Sequence, residues 1–143
     1  MFNGVPKSVV LASLLGLIPI LMGLASTFNI GLNEGFKEDF IRIVLIYSGF
    51  ILSFMSGCIF YVASLERERV LLLWFSISPV LLALLSIIIP FMQSFVLALG
   101  FLVVLEIERK LNKRRSLPKW WLSLRFPMTS IVVVLLIFLG FRI

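Results

Sequence analysis

The stretch Glu106–Arg125, EIERKLNKRRSLPKWWLSLR, holds Arg109, Lys110, Lys113, Arg114, Arg115, Lys119 and Arg125 against two acids, Glu106 and Glu108. The sequence on both sides is almost entirely apolar. In a soluble chain such a run is a solvated face or a nucleic-acid patch. Between long hydrophobic segments it reads instead as an anchor, because Lys and Arg resist translocation across a bilayer. The same flanks predict a polytopic bundle of transmembrane helices threaded about this one loop.

Composition points the same way. The 143 residues are 61% hydrophobic with a mean hydropathy of +1.15, and an apolar excess of that size has to face lipid. The formal charge of +6 comes mainly from the one basic stretch, so it speaks for anionic headgroups as partners and against nucleic acid. Cys58 is the only cysteine and there is no histidine. A disulfide framework, a cysteine metal pair, His-ligated haem and an imidazole base are thereby excluded, and no cofactor is expected.

Working outward, five spans are expected in one domain covering 1–143. Ser8–Phe28 is about the ~20 residues that a crossing needs, with Pro19 bending it at mid-span. Gly23-Leu24-Ala25 also offers small residues for signal-peptide cleavage, but the apolar run is long for that role. Asn29–Asp39 reads as an acidic loop, and Phe40–Ala63 as the second span. Ser64–Arg69 is a short loop in which Glu66 and Glu68 face Arg67 and Arg69 as solvated pairs. Val70–Leu105 carries no charge and is far too long for one crossing, so Pro90 is taken to divide it into two helices. Leu117–Phe126, with Trp120 and Trp121, reads as an interfacial segment in the membrane plane. Met128–Phe141 is then a short fifth span.

Parity tests the anchor. With the basic loop inside, Lys7, Arg67 and Arg69 fall inside too, and only Lys37, Arg42 and Arg142 fall outside. The expected placement is N-terminus in and C-terminus out.

On the second span Gly49, Ser53 and Gly57 recur at four-residue spacing and form a ridge of small residues on one helix face. Because lipid gives little hydrophobic drive between helices, such ridges mark close packing, within the chain or on a partner protein. Tyr47, Ser48, Ser53, Ser56, Ser76, Ser78 and Gln93 place polar groups at depth. Bonding back to their own helices is the plain account; a small polar cavity between the second and third helices near Pro79 is the functional alternative. No ionised side chain falls at the middle of an expected span, where proton relays and ion paths need one. No phosphate loop, catalytic triad or paired carboxylates occur at usable spacing, so an enzyme is not expected.

Leu15-Gly16-Leu17-Ile18-Pro19, the run Tyr47–Gly57, Trp74 with Ser78-Pro79, Leu117-Pro118-Lys119-Trp120 and Leu124-Arg125 occur in this order. In these motifs the chain resembles a family of small multi-spanning membrane proteins of unknown function from bacterial inner membranes, with a mitochondrial transmembrane relative in animals. In that family's pattern a second Gly stands at Ser56, and His or Arg followed by Trp stands at Ile59 and Phe60. This sequence departs there, so a polar site at that point in relatives is not expected here. The resemblance implies a bacterial inner membrane ahead of a mitochondrial one. The leading expectation is a non-enzymatic accessory or assembly subunit, with respiratory-chain complexes as the first partners to examine by analogy. The alternative is a carrier or binding protein for a small apolar ligand such as a lipid or quinone.

Overall fold

The structure is a computed structural model that describes residues 4–28, 34–65, 70–114 and 116–143. Arg67, Arg69, Arg115 and the pairs expected at Glu66 and Glu68 lie outside the described residues. Five α-helices, α1 (Lys7–Ser26), α2 (Glu34–Leu65), α3 (Val70–Ile88), α4 (Gln93–Lys113) and α5 (Trp121–Arg142), are each long and apolar enough to cross a membrane. There is no strand among the described residues.

The break expected at Pro90 is present as a 3-10 turn, Pro90–Met92, between α3 and α4. Proline suits such a first position because its missing N–H would have had no partner there. The basic stretch, in contrast, is not one loop. α4 runs on to Lys113, and α5 begins at Trp121, so both ends of Glu106–Arg125 are helical. The residues expected to lie flat in the membrane plane are divided between a turn at Lys119-Trp120 and the opening turns of α5. Pro127 sits inside α5 and does not delay its start, which makes the fifth span longer than the sequence suggests. α2 likewise begins at Glu34, inside the expected acidic loop.

α4 packs on α2, α3 and α5, while α1 packs on α2 and α5. The buried face of α4, Leu97, Phe101, Val104, Glu108 and Leu111, advances alternately by four and three residues, the interval that keeps one stripe toward its neighbours. Three close approaches hold the helices where lipid gives no hydrophobic drive. A Cβ on Gly23 would lie 2.8 Å from Val44 Cγ1, one on Gly140 2.8 Å from Phe95 Cζ, and one on Gly100 would overlap the Leu52 side chain.

Hydroxyls complete the contacts. Ser56 donates to the Ser76 carbonyl between α2 and α3, and Ser94 to the Leu136 carbonyl between α4 and α5. Pro79 cannot donate to the Phe75 carbonyl four residues back, and Ser78 Oγ takes that acceptor at 2.7 Å. Of the polar side chains expected at depth, Ser56 thus fastens two helices and Ser78 repairs a proline, while Ser48, Ser53 and Ser76 bond back to their own helices.

Candidate functional site

The ridge on α2 faces differently from its expected packing within the chain. Nothing approaches within 4 Å of a Cβ placed on Gly57, which is exposed beside Phe54 and Tyr61. A Cβ on Gly49 would make only ordinary contact with Leu97, at 3.8 Å, and Ser53 Oγ bonds back to the Gly49 carbonyl at 2.9 Å. Within the chain no helix approaches Gly57, and Gly49 meets α4 only at ordinary distance, so the ridge makes no close approach. The glycines that do make one, Gly23, Gly100 and Gly140, have no four-residue glycine repeat to announce them.

The basic stretch also divides. Arg109, Lys110, Lys113, Arg114 and Lys119 are exposed, as a headgroup anchor requires. Arg109 reaches Glu106 at 3.2 Å in an exposed pair, which contributes only ~0–1 kcal/mol. Arg125 is not part of that surface. Its side chain is only 16% exposed, and its Nε–H donates to Glu108 Oε1 at 3.0 Å and Oε2 at 3.3 Å. Glu108 is wholly buried, and it also accepts the indole N–H of Trp121 at 3.1 Å. The guanidinium lies 5.8 Å from the Trp121 ring centre and places an Nη2–H against the Met55 thioether. Trp121 therefore hydrogen-bonds a buried acid, while Trp120 packs beside it, their ring centres 5.7 Å apart.

Reading residues 106–125 as one loop hides this cluster. The signal for it lies in the stripe of α4, which continues past Leu97, Phe101 and Val104 to Glu108 and Leu111. Trp121, Arg125, Met128 and Val132 advance by the same alternating interval on α5. Two stripes running antiparallel bring the acid and the base together 17 residues apart in sequence.

Beside the pair lies a cleft of about 480 Å³ between α1, α2, α4 and α5. That volume is within the ~300–1,000 Å³ of small-molecule sites. Ile20, Ile51, Phe54, Phe101 and Val132 give it apolar walls, and Arg125 is the one ionised side chain among its lining residues. Ser8 on α1 and Arg125 on α5 lie toward the basic end of their helices, whereas Ile20 and Val132 lie toward the middle. The α1 wall is held to α2 by Tyr47, whose hydroxyl donates to the Gly16 carbonyl at 3.0 Å. At its far end α1 meets α5, where Arg142 donates to the Thr27 carbonyl at 3.3 Å and lies 4.8 Å from the Phe28 ring centre. A second hollow, about 680 Å³, opens at the other end of the bundle and is lined by Glu38, Arg42, Phe91 and Gln93 among others. Among the described residues no three His, Cys, Asp or Glu side chains gather into a metal-binding group.

The fold and site define an all-helical protein of the membrane-embedded class, with an apolar cleft that ends at a buried ion pair. The chain belongs to the family described as "Protein of unknown function (DUF3429)", which matches residues 5–141. No curated protein and no solved structure matches it.

Proposed function

We propose that the protein is a non-enzymatic membrane protein that binds a small apolar or amphiphilic molecule, of the lipid or quinone kind, in the cleft between α1, α2, α4 and α5. The observation that carries this reading is the pairing of apolar walls with one polar end at Arg125. Ligand sites have this composition, with broad apolar contact for affinity and few polar groups for orientation. The test is purification in mild detergent followed by mass spectrometry of extracted lipids and quinones, wild type beside Ala12→Trp. Ala12 is exposed on the cleft wall, so the indole occupies the cleft without displacing buried packing. The wild type should retain a molecule in stoichiometric amount and the variant should lose it. Equal retention by both sinks the reading.

A second reading, an accessory or assembly subunit for partner membrane proteins, is favoured by the ridge of Gly49, Ser53 and Gly57, which is open at Gly57. Gly57, which no helix of its own chain approaches, remains open to one from another, with respiratory-chain complexes as the first candidates by analogy. Gly57→Leu should then leave folding intact and abolish co-purification of a protein partner. In either case we place the protein in a bacterial inner membrane with the basic end toward the cytoplasm. A reporter fused after Arg115 should read cytoplasmic, and one after Ile143 periplasmic.

A further inference from the structure

From the donors left on Arg125, and resting on the cleft as a ligand site, we infer that the ligand is an uncharged amphiphile whose head presents a carbonyl oxygen to this guanidinium. Glu108 takes the Nε–H, and an Nη2–H meets only a thioether, a weak acceptor. No described group accepts from Nη1. No buried side-chain nitrogen among the described residues lacks a partner, so Nη1 is accessible, and Arg125 lines the cleft. The cleft is therefore lined by a planar donor fork, held by Glu108, that has donor capacity to spare.

Charge selects the head. The guanidinium is already neutralised by a fully buried carboxylate 3.0 Å away. No second cation lines the cleft. A fatty-acid carboxylate or phosphate monoester at Nη1 would set two negative charges about one positive charge in a medium that screens poorly. A carbonyl oxygen accepts the same N–H without that repulsion. The tail would run from Arg125 toward Ile20 and Val132, along Ile51 and Phe54. A quinone ring and a neutral glyceride ester share this head chemistry.

Thermal unfolding of the purified full chain in detergent, together with tryptophan fluorescence titration, tests the assignment. The probes are decylubiquinone, dioctanoylglycerol and decanoate; Trp121 beside Arg125 reports the first site of contact. At least one of the two uncharged probes should raise the unfolding temperature and decanoate should not; which uncharged probe binds identifies the source. Arg125→Lys keeps a cation for Glu108 but loses the planar fork. It should unfold near wild type and weaken binding roughly tenfold, the factor that ~1.4 kcal/mol of lost hydrogen bonding produces. Should Arg125→Lys fail to fold, Glu108→Gln with Arg125→Gln takes its place as an uncharged pair, with the same loss expected. Decanoate binding as tightly as the uncharged probes, or uncharged binding untouched by whichever Arg125 variant folds yet abolished by Ala12→Trp, overturns the inference while the cleft stands. Binding of every probe unchanged by Ala12→Trp overturns the cleft reading itself.

Discussion

α4 is fastened to its neighbours in two opposite ways, eight residues apart. At Gly100 it meets α2 by absence, since the missing side chain lets the buried Leu52 lie against its backbone. At Glu108 it meets α5 by presence, through a buried carboxylate that takes N–H groups from Arg125 and Trp121. The first contact is broken by adding atoms and the second by removing them. Position along the helix accounts for the difference. Glu108 lies near the basic end, where long side chains and indoles sit at headgroup level. Gly100 lies deeper, where close approach is the main means of association.

The largest expected effect is at the charged contact. Glu108→Ala should cost ~3–5 kcal/mol, because it leaves the Arg125 guanidinium buried with no counter-charge. Replacing both partners, as Glu108→Leu with Arg125→Leu, should recover most of that loss, since apolar groups of similar volume often substitute for a buried pair at little cost. Unfolding of the single and double variants in detergent measures both; a double variant as unstable as Glu108→Ala means the pair is not the fastener. Gly100→Ala comes next, at ~1–3 kcal/mol, because Leu52 is fully buried and has no room to yield. Ser56→Ala, which removes the hydroxyl that Ser76 accepts from, should cost about 0.6 kcal/mol, the average for hydrogen bonds between membrane helices. Smallest is Gly57→Leu, within ~0.5 kcal/mol of wild type when the protein is expressed alone, because its side chain enters open space. A large loss there would show that the ridge packs within the chain after all and would blur the contrast with Gly100.

The same contrast explains what the sequence made legible. Five apolar helices and the break at Pro90 follow from hydropathy and proline chemistry, which act locally. The ridge of Gly49, Ser53 and Gly57 was conspicuous for its spacing, yet spacing carries no information about which face meets a neighbour. Gly100 is solitary and its significance depends on Leu52, forty-eight residues earlier. Glu108 and Arg125 were hidden in a charged run whose average polarity suggests a loop. Their burial becomes visible only when each is set on its helix stripe, Glu108 with Val104 and Leu111, Arg125 with Trp121 and Met128. A buried charge pair in sequence looks like two surface charges until the helices that carry them are given their true ends.

Helix length has a consequence of its own. α1 has 20 residues and α3 has 19, so each rises about 30 Å at ~1.5 Å per residue, the thickness of one hydrocarbon layer. α2 has 32 residues and rises about 48 Å on the same scale. Membrane helices tilt by up to ~40°, which still leaves α2 longer than the layer. Its acidic opening, with Glu38 and Asp39, therefore stands clear of the hydrocarbon, while α1 and α3 act as the short rulers that set the protein's match to the bilayer. In a thicker membrane the uncharged run 43–65 of α2 has a few ångströms to spare and the short helices have none. Strain from such a mismatch would fall first on α1 and α3, and α1 is a wall of the cleft.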